Sequence, residues 1–332
     1  MKKKILLLAT GGTIAASQGE EGLEPSINSS QILASISSIS EYYDVDKKDL
    51  MRLDSSNIQP EEWQAIARSV SENRNSYDGI VITHGTDTMA YTSSALSFML
   101  RNINIPVVLT GSQLPITHPL TDAKENLFCA FSMAASGLPG VFVAFNRKVM
   151  LGTRAVKIRT MGIDAFESVN CPYVATVGAN GLEINHSILP DTSGDFALKD
   201  KLEPNVFLLK VIPGLNPCIF SVLRAMEYKG IIVEAFGAGG LHFVRRNLIS
   251  ELKAAVDEGI AVVVSSQCLY ERSDFSIYQT GRKALLDGRI IQGYDMTTEA
   301  AATKLMWCLG QTDNIDEIGR LFLTCFAGEV TI

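Results

Sequence analysis

Short apolar runs recur along the chain, and the stretch between each pair is long enough for one helix. Ile5 to Ala9, Ile80 to Ile82, Ile105 to Leu109 and Val141 to Phe145 are apolar and bounded by polar turns, and Leu50 to Leu53, interrupted by Arg52, reads as a further strand. That is the pattern of strands buried on both faces of a parallel sheet. Between the runs the period changes. Ile32, Leu33 and Ile36 predict a helix near 29–38. Pro60 at a first helical position, Glu61 and Glu62 behind it, and the stripe Trp63, Ile66, Ala67 and Val70 predict another. From Thr88 onward Met89, Ser93, Leu96, Ser97 and Leu100 fall at helical spacing, and Asp122-Ala123-Lys124-Glu125 has the spacing of a capping box ahead of Leu127, Phe128 and Phe131.

Asn185 to Pro204 breaks this rhythm with two prolines, a glycine and clustered charge. A smaller alternating pattern follows, with strands at Val206 to Val211, Gly230 to Glu234 and Ala261 to Ser265 and helices near 217–228, 246–258 and 298–311. The expected fold is therefore two α/β domains. The larger, residues 1–186, has a mostly parallel sheet with helices on both faces; 187–204 is a linker; 205–332 is a smaller C-terminal α/β domain. A length of 332 residues with 46% apolar content suits two full-sized cores.

A net charge of −7 argues against a nucleic-acid partner, which needs a basic face. Lys2-Lys3-Lys4 before Ile5 to Ala9 imitates a secretion signal, but the apolar run ends after five residues in Thr10-Gly11-Gly12, too short for one. No stretch approaches a membrane span. The six cysteines (Cys129, Cys171, Cys218, Cys268, Cys308, Cys325) are scattered and read as reduced and buried; with four separate histidines they form no metal-ligand pattern, so no metal or cofactor is expected.

Two turns concentrate the chemistry. Thr83-His84-Gly85-Thr86-Asp87 follows one predicted strand and precedes a helix, at the edge where open α/β sheets place ligands. Thr10-Gly11-Gly12-Thr13 follows the first strand, and its two glycines let backbone approach a ligand closely. Each turn alone also suits ordinary capping and turn-making. Ser17 to Asn28, polar and carrying Gly19, Gly22 and Pro25, has the composition of a flap.

Together, Ala9-Thr10-Gly11-Gly12-Thr13-Ile14-Ala15 and Ile82-Thr83-His84-Gly85-Thr86-Asp87-Thr88 resemble the bacterial-type L-asparaginases, amidohydrolases that convert asparagine to aspartate and ammonia. Asp54-Ser55-Ser56-Asn57 and the missing secretion signal look most like the cytoplasmic type I branch. The resemblance implies Thr13 as a nucleophile that forms an acyl-enzyme ester, and a Thr86–Asp87–Lys157 constellation around it. It implies that Asp87 receives the substrate's α-ammonium and that Ser55, with Asp54 and Ser56 beside it, meets the α-carboxylate. It places an oxyanion hole at backbone N–H groups of Gly12 and Thr86. It also implies a homodimer or homotetramer.

The chain departs from the family at Leu23, where relatives commonly carry a flap tyrosine, and near Gly237-Ala238-Gly239-Gly240, where they often carry asparagine. The family's second-subunit glutamate has no evident counterpart. Two alternatives stand beside the hydrolase: an asparagine-binding sensor, motivated by Leu23, and the amidase subunit of a tRNA-dependent amidotransferase. The nucleophile turn beginning by residue 10 argues against the latter, which carries an additional N-terminal domain.

Overall fold

The computed structural model describes residues 1–18, 22–277, 281–282 and 289–331. The chain divides into two compact units, 1–200 with 326–328, and 201–325 with 329–332.

The first unit is built on an eight-stranded sheet. In chain order its strands are β1 (Lys3–Gly11), β2 (Tyr43–Leu53), β3 (Gly79–Thr83), β4 (Pro106–Thr110), β5 (Gly140–Phe145), β6 (Lys148–Leu151), β7 (Ala175–Gly178) and β8 (Gly181–Ile184). Their spatial order is β8-β7-β6-β5-β4-β3-β1-β2. β2, β1, β3, β4 and β5 are parallel to one another, and β6 to β8 continue antiparallel. The change of direction comes at the two-residue turn Asn146-Arg147, where both residues have positive φ, the geometry that lets a hairpin twist correctly.

The parallel strands are apolar throughout because helices cover both faces. Ile5, Leu7, Val81, Val108 and Phe142 pack with α1 (Ser29–Ser35) and with Leu127 and Phe131 of the helix Ala123–Ala134. Leu6, Leu8, Ile80, Ile82, Val107 and Leu109 are equally buried on the other face. α2 (Pro60–Asn73) has the expected proline start and a reciprocal Gln59/Glu62 capping box, and it buries Trp63, Ile66, Ala67 and Val70. Ile66 and Val70 each contribute roughly 1.5–3 kcal/mol by this burial. α3 (Met89–Met99) is buried on nearly every side.

Several local expectations need correction. β2 begins at Tyr43, not Leu50; Asp44 alternates with Tyr43 and Val45, the run Asp46-Lys47-Lys48-Asp49 is charged throughout, and these exposed charges hide the strand because it lies at the sheet edge. There Lys4 pairs with Asp46 at 3.3 Å and Tyr77 donates to the same carboxylate at 2.9 Å. α1 stops at Ser35, and a separate turn of helix spans Ile39–Tyr42. Asp122 does not cap α4 (Ala123–Ala134). Its carboxylate instead accepts from Gln113 N, Leu114 N and Asn126 Nδ2, tying the turn after β4 to the helix. Of the cysteines, Cys218, Cys268 and Cys325 are exposed rather than buried.

The second unit has a four-stranded parallel sheet in sequence order: β9 (Val206–Lys210), β10 (Gly230–Ala235), β11 (Ala261–Ser266) and β12 (Ile291–Gln292). Its helices are α5 (Cys218–Ala225), α6 (Leu248–Asp257), α7 (Thr298–Gln311) and α8 (Ile315–Leu323). Lys304 and Glu329 form a fully buried ion pair at 2.5 Å, and the Lys304 ammonium also donates to Thr324 O. The two-domain α/β class read from the sequence is the fold observed. No helix among the described residues is long and apolar enough to cross a membrane.

Candidate active site

From β1 the chain first moves outward to β2 and then returns to β3 on the other side of β1. This reversal opens a crevice at the carboxyl ends of β1 and β3, the switch point where open α/β sheets bind ligands. The register pairs Ala9 with Thr83, the last residue of β3, and β1 runs on to Gly11. The turn after β1 carries Thr13 and the turn after β3 carries Thr86 and Asp87.

The glycines of the first turn serve close packing between turns. Gly11 and Gly12 have φ of 109° and 79°. A Cβ on Gly11 would stand 2.4 Å from Leu53 O, and one on Gly12 would stand 2.3 Å from Gly85 N. Only glycine tolerates both the conformation and the contact. Thr10 Oγ1 adds a 2.7 Å bond to Thr83 O. The Gly12 N–H donates to Leu53 O at 3.0 Å. It is therefore engaged in this turn-to-turn contact. The backbone N–H groups of Thr13 and Thr86 have no hydrogen-bond partner among the described residues.

The turn after β2 braces the second turn. Ser55 is buried; its Oγ accepts from Asp87 N at 3.2 Å, and its carbonyl accepts from Thr88 Oγ1 at 2.8 Å. The Asp54 carboxylate caps this short helical turn through Ser56 N at 2.8 Å. The side chains of Asp54 and Ser56 are exposed and form no bond to Thr86 or Asp87. Of the three residues expected at the α-carboxylate, only Ser55 is tied to the constellation.

Lys157 ends the short strand Ala155–Lys157, paired antiparallel with Phe166–Ser168. Its mostly buried ammonium donates to Thr86 Oγ1 at 2.8 Å and to Asp87 Oδ1 at 2.5 Å. The Thr86 hydroxyl, having accepted from lysine, donates to Gln113 Oε1 at 3.2 Å. Gln113 Nε2 then donates to Thr160 O and Gly162 O, each at 3.1 Å. Sequence reasoning does not assign Gln113 to the site; its signal is its place just past the Thr110-Gly111-Ser112 turn.

Nor does sequence reasoning give His84 a role. It is fully buried, with Nδ1 2.7 Å from Gly85 O and Nε2 2.9 Å from Thr92 Oγ1; Trp63 Nε1 donates to that same hydroxyl at 3.1 Å. Burial lowers the His84 pKa to about 4, against a smaller opposing effect of the Gly85 carbonyl, so the ring is neutral at physiological pH.

Thr13 is half-buried at the start of a single 3₁₀ turn, Thr13–Ala15. The expected flap forms a small hairpin, Ala16–Gln18 against Leu23–Pro25. Leu23 pairs with Gln18 there; its side chain, like residues 19–21, lies outside the described residues. No group of three His, Cys, Asp or Glu side chains able to hold a metal occurs among the described residues.

Residues 4–189 match the family described as Asparaginase, N-terminal, and residues 205–322 match the Glutaminase/Asparaginase C-terminal domain. An L-asparaginase of Thermococcus kodakarensis is 45% identical over 99% of both chains, and L-asparaginase 1 of Escherichia coli is 33% identical over 99% of this chain and 98% of its own. A glutamyl-tRNA(Gln) amidotransferase subunit of Pyrococcus abyssi is 37% identical over 99% of this chain and 77% of the relative. Among solved structures, the thermostable L-asparaginase of T. kodakarensis superposes with a TM-score of 0.93 at 44% identity, each chain covered to 99%. L-asparaginase I of Vibrio cholerae superposes with a TM-score of 0.87 at 32% identity, both chains covered fully. With both domain families matched in order, and relatives of this identity aligned end to end, the chain belongs to the asparaginase family.

Proposed function

We propose that this chain hydrolyses L-asparagine to L-aspartate and ammonia, with Thr13 as nucleophile and Thr86, Asp87 and Lys157 as its supporting machinery. One observation carries the reading: Lys157 bonds both Thr86 and Asp87, in the turn that packs on Gly12, just before Thr13. A family relative named L-asparaginase at 45% identity supports the substrate.

Thr13 Oγ attacks the side-chain amide carbon, and its proton passes through the Thr86 hydroxyl to Lys157 Nζ, which enters this step as the neutral amine. The tetrahedral oxyanion is held by the Thr13 and Thr86 N–H groups. It collapses with return of a proton to nitrogen, releasing ammonia and leaving an aspartyl ester on Thr13. Water, relieved of a proton by the same pair, hydrolyses the ester and frees aspartate. No electrons change hands, so side chains and water account for every step. The exposed Asp87 carboxylate meets the α-ammonium and the Ser55 hydroxyl meets the α-carboxylate. Cytoplasmic residence accompanies this reading, supported by a Campylobacter jejuni relative described as a probable cytoplasmic L-asparaginase, 26% identical with a TM-score of 0.82. Assembly as a homodimer or homotetramer completes it, and light scattering tests that.

The deciding assay is ammonia release from asparagine and glutamine. Release from asparagine with a one-to-one yield of aspartate is expected. Folded protein that binds asparagine and releases nothing would overturn the hydrolase in favour of a sensor.

A further inference from the structure

The bonds around His84 have a defined direction. An indole N–H can only donate, so the Thr92 oxygen accepts from Trp63 Nε1 and keeps its hydroxyl proton available for His84 Nε2 at 2.9 Å. The other end of the ring fixes the direction. A bare imidazole nitrogen 2.7 Å from a carbonyl oxygen would set two lone pairs against each other, so Nδ1 must carry the proton it gives to Gly85 O. The relay therefore runs from Trp63 through Thr92 and His84 to the Gly85 carbonyl.

That carbonyl belongs to the peptide whose N–H is Thr86. In a planar trans peptide the two point in opposite directions. Drawing the oxygen toward His84 in the core aims the Thr86 N–H away from it, and that N–H has no partner among the described residues. The preceding peptide, His84–Gly85, is closely packed on both sides. A Cβ on Gly111 would stand 2.3 Å from His84 O, a Cβ on Gly12 would stand 2.3 Å from Gly85 N, and Gly85 itself packs on Ser55.

We propose that His84 is a positioning residue of the amidohydrolase site: through its Nδ1–H it holds the Gly85 carbonyl, and so keeps the Thr86 N–H aimed as an oxyanion donor. The inference rests on the proposed function. It assigns Thr92, itself bonded by Trp63, the task of holding the Nε2 end of the ring.

The first test needs no variant. Nitrogen-15 NMR of histidine-labelled wild type at pH 7, with the His84 signals identified by their loss in His84→Asn, should show a neutral ring protonated on Nδ1. A ring protonated on Nε2, or on both nitrogens, overturns the proposal. The second test is kinetic. His84→Asn places an amide N–H near the Nδ1 position and should retain most of the turnover number. His84→Leu should lose about 10²-fold in kcat, the scale of a small misplacement at a reacting centre, with KM little changed. Equal losses in the two variants, or a His84→Leu enzyme with wild-type kcat, overturn it. Should His84→Leu fail to fold, Thr92→Val and Thr92→Ser decide: kcat should fall in the first and return in the second, and loss in both or in neither overturns the relay. Wild type that releases no ammonia would sink the hydrolase reading, while the tautomer measurement still decides the geometry.

Discussion

The ammonium of Lys157 lies 2.8 Å from the hydroxyl of Thr86 and is mostly buried, while Asp87, its other partner, is largely open to solvent. The lysine end of this constellation is thus sheltered and its carboxylate end is presented to what arrives. Proton handling and substrate capture are therefore expected to separate on mutation.

Lys157→Met should reduce kcat by about 10²–10⁴-fold, the worth of a general base, and change KM far less. Steady-state kinetics check this; unchanged kcat would return Lys157 to a structural role.

Thr13→Ala should abolish turnover and leave the thermal transition and asparagine binding close to wild type, since only a half-buried hydroxyl and a methyl group leave. Thr13→Ser should keep part of the activity. Near-normal ammonia release from Thr13→Ala would move the nucleophile elsewhere.

Asp87→Ala should raise the asparagine dissociation constant sharply, because an α-ammonium loses its charged partner. Succinamic acid, which lacks that amine, should bind wild type poorly and lose little in the variant. Calorimetry with both ligands decides, and equal losses refute the contact.

Lys304→Met strands the Glu329 carboxylate in the interior and should cost about 3–5 kcal/mol in denaturant unfolding. Lys304→Met with Glu329→Leu removes both charges and should recover most of that. A double variant no more stable than the single one would contradict the burial of the pair.

His84 also makes a stability prediction. Its folded pKa is depressed to about 4 from 6.5, so below 6.5 the unfolded chain binds a proton that the folded chain refuses. Stability contributed by the neutral ring is complete above pH 6.5 and is lost as pH falls toward 4, by about 3 kcal/mol at roughly 1.4 kcal/mol per pH unit. His84→Asn should flatten that part of the curve of unfolding free energy against pH. An unchanged slope would mean the ring is charged in the folded protein.

The parallel strands were legible because burial on both faces makes them apolar end to end, as Ile80 to Ile82 shows. β2 was half hidden for the converse reason: an edge strand keeps its charges. The second-unit strand Ile291–Gln292 is too short to announce itself. At the site, residue types marked Thr13, Thr86 and Asp87, and resemblance marked Lys157. Which N–H groups are engaged was not readable, because that depends on Leu53 reaching Gly12 from a different turn. His84 and Gln113 were missed because their roles lie in bond direction, which no spacing encodes.

The charged edge at β2 bears on how the protein behaves in concentrated solution. A wide, mostly parallel sheet ending in an open strand is a template on which another molecule's backbone can add, the first step toward amyloid-like association. Asp44, Asp46, Lys47, Lys48 and Asp49 make such docking bring charges together along the whole strand. Replacing the exposed charges of this run with the β-branched residues of its neighbours would remove that protection and make the protein prone to precipitate.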